Sequence, residues 1–152
     1  MFTHFRVIGR FQPGLKSAPF AHMIPAYFET HFRTDSPVDS WPDQFAIITG
    51  FATTGESWSD DRNHSADQRL LAQLTSAGHQ PIRITGFSPL THHSEPSWAI
   101  PMNWPAACDL GLEFLQDAVY WVDKDSLFIT YCDHRRALVR VGSFRSRLHQ
   151  IN

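Results

Sequence analysis

Between residues 44 and 122 the spacing of apolar side chains switches from alternate positions to every third or fourth, and back, twice over. Alternation marks a half-buried strand, and a period near 3.6 marks an amphipathic helix. "QFAIITGF" and "PIRITGF" read as strands on either side of one helical stretch, and "EPSWAI" and "AVYWV" flank a second. The order is strand, helix, strand, strand, helix, strand. Two strands in succession, with no helix to carry the chain back between them, argue against a purely parallel doubly wound sheet. The order predicts an α+β fold: a ferredoxin-like βαββαβ core with a mainly antiparallel sheet and two helices. "ETHFRT" before it, and "SLFITYC" and "ALVRV" after it, extend the sheet at both ends. The "DKD" between "AVYWV" and "SLFITYC" is a hairpin signal.

Both helices carry start signals. In "SDDRNHSADQRLLAQLTSAGHQ", Ser59 or Asp60 can accept from the free amides of a first turn whose positive end favours Asp61. Ala66, Leu70, Leu71, Leu74 and Ala77 share a face, and Gly78 suits the C-terminal cap. "NWPAACDLGLEFLQDA" places proline in its first turn, where no amide hydrogen is needed. Trp104, Ala107, Cys108, Gly111, Phe114 and Leu115 give this second helix its apolar face.

A chain of 152 residues suffices for one domain that buries roughly 68–70% of the surface of its unfolded form. We expect residues 27–152 to be that domain, preceded by an arm over residues 1–26, rich in Pro, Gly and Phe, packed on it. With 42% hydrophobic and 18% charged residues the chain reads as globular. No apolar run approaches the roughly 18 residues of a membrane helix. "MFTHFRVIGRFQ" alternates too often with charge for an export signal, so the expected location is cytoplasmic, with no membrane contact. Cys108 and Cys132 then read as free thiols. No motif calls for a cofactor: neither G-x-x-x-x-G-K-[ST] nor G-x-G-x-x-G is present, and Asp60 and Asp61 would repel a phosphate at their helix.

Charge is unevenly placed. Residues 1–134 carry eight basic and fifteen acidic side chains, whereas residues 135–152 carry five arginines and no acid. Arg135, Arg136, Arg140, Arg145 and Arg147 could line a stripe for nucleic acid, with Arg136 and Arg140 as polyanion contacts, or could pair with the acidic body.

The chemically richest stretch is "THHSEPSWAIP", residues 91–101. Proline after Glu95 pushes that glutamate into extended geometry. Glu95, Ser97 and Ala99 then share one strand face, and Trp98 and Ile100 the other. Alternate residues lie roughly 6.6 Å apart along a strand, so His93 and Ser97 would be about 13 Å apart. That is too far for a nucleophile and its base. Adjacent His92 and His93 diverge to opposite faces, and no metal-ligand spacing accompanies them, so no metal is expected. Small Ala99 on the Glu95 face suits close approach of a helix, which would leave Glu95 partly buried and in need of donors. Asn63, projecting from the first turn of its helix on the apolar side, Ser97, Thr49 and Gln116 are the candidates.

These residues resemble a family of small bacterial proteins catalogued as domain of unknown function 3293. The likeness runs from "PAYFETHF" through "FAIITGF", "DRNHSADQRLLAQL" and "SEPSWAI" to "EFLQDAVYW", roughly Tyr27 to Val122, and it matches Asn63, Glu95, Ser97 and Gln116. The family pattern has alanine, an aromatic, asparagine and proline after its central strand, where Gly50, Phe51, Ala52 and Thr53 stand here. The resemblance implies location and no chemistry. The residues themselves lead to a helix–sheet pocket that binds or transforms a small polar molecule. Glu95 would act as acid or base if there is catalysis, and Asn63, Ser97 and Gln116 as ligand contacts. The alternative is a non-enzymatic module that meets protein or RNA through the aromatic arm or the arginine-rich end.

Overall fold

The computed structural model describes residues 29–52 and 57–150. In chain order they form β1 (His31–Thr34), β2 (Gln44–Ile48), α1 (Asp60–Ser76), β3 (Ile82–Phe87), β4 (Ser94–Pro101), α2 (Trp104–Glu113), β5 (Ala118–Asp123), β6 (Ser126–Tyr131), β7 (Leu138–Ser143), α3 (Phe144–Arg147) and β8 (Leu148–Gln150). The expected N-terminal arm over residues 1–26 lies outside the described residues.

The local signals act as the sequence predicts. Ser59 is the N-cap of α1, its hydroxyl accepting from the Arg62 amide. Gly78 closes that helix with a φ of 89°, a conformation costly for residues with a Cβ. Asn103 caps α2 by accepting from the Ala106 amide. The face of α2 is narrower than predicted: Ala107, Cys108, Gly111 and Phe114 are buried, while Trp104 and Leu115 are exposed. Leu115 leaves the face because the helix ends at Glu113 and the chain turns with φ 60° there. Ala77 is likewise exposed, beyond the last turn of α1.

The eight strands make one sheet in the order β7-β6-β5-β2-β4-β3-β1-β8. Every neighbouring pair is antiparallel except β1 and β8. The last two elements, α3 and β8, are absent from the sequence-based expectation, and they set the shape of the sheet. Laid flat, eight strands would hold β7 and β8 about 34 Å apart. The chain passes from one to the other through the four residues of α3, which can span at most about 14 Å. The sheet therefore curls until its edges approach.

Curling creates two cores. On the outer face, Leu70 and Leu74 of α1 and Ala107, Cys108 and Phe114 at α2 cover Ala46, Ile48, Trp98, Ile100 and Trp121. On the inner face, Phe32, Phe45, Ile47, Ile84, Ala99, Tyr120, Leu127, Ile129 and Phe144 pack together. Phe144 of α3 spans the seam, its ring 5.9 Å from Phe32, 5.1 Å from Phe45 and 5.1 Å from Trp41.

Candidate functional site

The alternation in β4 is as predicted, but the side it faces is reversed. Trp98 and Ile100 point to the helices and Ala99 points to the inner core. Glu95 and Ser97, on the Ala99 side, therefore face the interior of the curled sheet, away from α1 and α2. Ala99 lies on the inner face among aromatic and aliphatic side chains. On the outer face the large Trp98 ring is fixed from the helix, by the Asp67 carboxylate that accepts from its Nε1 at 3.1 Å.

The four candidate residues accordingly separate into two pairs. Asn63 and Gln116 converge on the segment that follows β2. The Asn63 Oδ1 accepts from the Ala52 amide at 2.7 Å, and the Gln116 Nε2 donates to the Phe51 carbonyl at 3.1 Å and to the Phe114 carbonyl at 3.2 Å. Thr49 adds a third tie, donating to the Pro96 carbonyl at 2.9 Å and accepting from the Phe51 amide at 3.1 Å. These bonds clamp Phe51 and Ala52 just after β2. Ser97 donates to the Glu95 carbonyl at 3.4 Å.

Glu95 has different company. It is 2% exposed, opposite Gly86 of β3. Its charge reaches the Tyr120 hydroxyl on β5, which Arg147 and the Thr30 side chain also adjoin. Burial, the largest influence, pushes the Tyr120 phenol well above its ordinary range; Thr30 and Arg147 oppose this, and Glu95 adds to it. Burial draws the Arg147 guanidinium below its ordinary value, against the pull of Tyr120. Arg147 is anchored by donating to the Val141 carbonyl at 2.7 Å and the Thr30 carbonyl at 3.3 Å. A carboxylate, a phenol and a guanidinium are thus gathered inside a largely apolar space, where charge is costly unless matched.

Sequence reasoning missed Arg147 and Tyr120 as members of this group, because nothing local separates an inward arginine from a surface one. It also missed Asp67, which is 1% exposed on α1 and meets Arg83 through two hydrogen bonds of 2.8 Å. The Arg83 guanidinium lies over the Trp98 ring, 4.1 Å from its centroid. The signal for Asp67 was present: it stands three and seven residues before Leu70 and Leu74, in line with the apolar stripe. Through Arg83 and Trp98, Asp67 ties α1 to β3 and β4.

The C-terminal arginines have different surroundings. Arg135 pairs with Asp133 at 2.6 Å and Arg136 with Asp109 at 2.7 Å. Arg140 donates to Ser126 at 3.4 Å, the Arg145 amide donates to Asp125 at 2.8 Å, and Arg147 is buried. Among the described residues, no group of three or more His, Cys, Asp or Glu side chains is arranged to hold a metal ion, and no helix is long and apolar enough to cross a membrane.

No curated protein matches the chain. A family model described as Protein of unknown function (DUF3293) matches residues 48–119. The match leaves "PAYFETHF" outside and includes Asn63, Glu95, Ser97 and Gln116. Over residues 48–119 the chain is therefore similar to the DUF3293 family of proteins of unknown function.

Proposed function

We propose that the protein binds a small polar molecule inside the curled sheet, between Glu95 of β4 and Tyr120 of β5. The observation that carries this reading is the burial of Glu95 on the inner face together with Tyr120 and Arg147. Buried ionisable groups with displaced pKa values gather at sites of binding or proton transfer more often than elsewhere. Glu95 accepts or donates a proton or hydrogen bond to the ligand, Tyr120 offers its hydroxyl, and Arg147 supplies positive charge behind it. Asn63 and Gln116 act at one remove, by holding Phe51 and Ala52 at the end of β2.

The reading is tested by ligand-observed NMR against a panel of small hydroxy, amino and carboxylic acids. Signals from a bound compound should disappear in Glu95→Gln and weaken in Tyr120→Phe while the circular dichroism of both variants stays that of the parent. Retention of the same signals by Glu95→Gln would remove Glu95 from the site.

We further infer that β2, α1, β3, β4, α2 and β5 are a ferredoxin-like βαββαβ unit. The support is their strand order, β5-β2-β4-β3, and the antiparallel pairing throughout. Two free thiols favour a cytoplasmic location.

A further inference from the structure

The outer core holds a pair of nucleophiles that the proposed site does not use. Cys108 lies on α2 and Cys132 just beyond β6, and both are free and buried. The Cys108 thiol donates to the Tyr131 carbonyl at 2.9 Å and lies 3.7 Å from the Asp133 carbonyl, the two residues that flank Cys132. The Cys132 sulfur lies against the α2 backbone at Gly111, one turn beyond Cys108 on the same helix face. A Cβ at Gly111 would stand 2.4 Å from that sulfur. The Cys132 side chain is near enough to be the largest influence on the Cys108 thiol. Twenty-four residues apart in sequence, they are held side by side by the packing of α2 on the sheet.

We propose that Cys108 and Cys132 form an oxidisable dithiol, a site at which a peroxide converts two thiols into one disulfide. The attacking group is the Cys108 thiolate. Cys132 favours that thiolate most; burial and the Asp109 charge oppose it, and the Asp133 backbone and the Arg136 charge assist, leaving Cys108 below its ordinary pKa. Its sulfur attacks one peroxide oxygen, the O–O bond breaks, and the departing hydroxide takes a proton to leave as water. Cys108 is then a sulfenic acid. The Cys132 sulfur attacks it, the S–O bond breaks as the S–S bond forms, and a second water carries off the oxygen. Two thiols and one hydrogen peroxide thus give one disulfide and two waters. A peroxide little larger than water suits a pair that is 0% and 4% exposed, where a bulky disulfide such as oxidised glutathione would need the helix to lift.

Intact-mass spectrometry of the full chain, before and after hydrogen peroxide, tests this. The wild type should lose about 2 Da, reversibly with a thiol reductant, and yield a linked pair of peptides containing Cys108 and Cys132. Cys132→Ser should instead gain about 16 Da, trapped by dimedone at Cys108. A wild-type chain that stays at its reduced mass, gains oxygen without the loss of 2 Da, or forms disulfide-linked dimers overturns the proposal, whatever the fate of the variant.

Discussion

At the scale of single residues, contact distances decide which of two opposing effects wins. Alanine at position 111 would raise helix propensity by about 1 kcal/mol. Its Cβ would also stand 2.4 Å from the Cys132 sulfur and 3.0 Å from the Val119 Cγ1, an overpacking that costs about 1–3 kcal/mol. Crowding should prevail: Gly111→Ala lowers the urea midpoint, and adding Cys132→Ala recovers part of the loss. An unchanged or higher midpoint for Gly111→Ala would mean that α2 sits less tightly on the sheet than described. Residue-level legibility was uneven for physical reasons. Period-two alternation placed Glu95 with Ser97 and Ala99, because strand pleating depends on nothing but the local backbone. Which side of the sheet that row faces depends on where the helices lie, and a small residue fits either core. Asp67 could have been read as the acid in an apolar stripe, but its partner Arg83 comes from β3 and is invisible to local spacing.

Elements whose ends carry their own hydrogen-bonding chemistry were readable. The cap Ser59, the proline in the first turn of α2 and the turn at Gly78 bound the two long helices near their expected positions. The four-residue α3 and three-residue β8 carry no such period. They are too short to display one, and β8 exists through its parallel pairing with β1. Phe144 is the apolar anchor of that end, 1% exposed and in ring contact with Phe32, Phe45 and Trp41. Truncating it to alanine should cost about 3–5 kcal/mol in urea unfolding. Amide exchange should quicken first in β8 and β1, where the seam is held. Faster exchange confined to α1 would contradict the role given to α3.

At the scale of the whole molecule, closure of the sheet joins stability to pH. At the seam, the His31 Nδ1 lies 2.9 Å from the His149 Nε2 in a hydrogen bond. Burial first, then the charges of His149 and Arg147, hold His31 below its ordinary pKa. A histidine depressed in the folded state binds its proton more readily when unfolded, near pH 6.5. Stability should therefore fall as pH drops through 6.5 toward the folded value, and His31→Gln should flatten that part of a melting-temperature profile. A second loss belongs to a more acid window. Burial raises the Asp133 carboxyl, but hydrogen bonds from Arg135 and its charge outweigh that and hold it low. That contribution is complete above about pH 4 and disappears as pH falls through the folded value.

The curl also explains why the sequence placed the Glu95 row against the wrong wall. Core order and mainly antiparallel pairing follow from periodicity, but closure follows from a short connection whose meaning appears only once strand order is known. Closure is what turns the Glu95 face into an interior. If that interior serves a ligand, the buried Glu95 carboxyl is kept at the expense of the fold, and its neutral isostere should not weaken the protein. Urea unfolding of Glu95→Gln is the most direct test: the account predicts an unfolding free energy within about 1 kcal/mol of the wild type or above it. A loss of about 3 kcal/mol or more would contradict it and make the glutamate a structural member of the core.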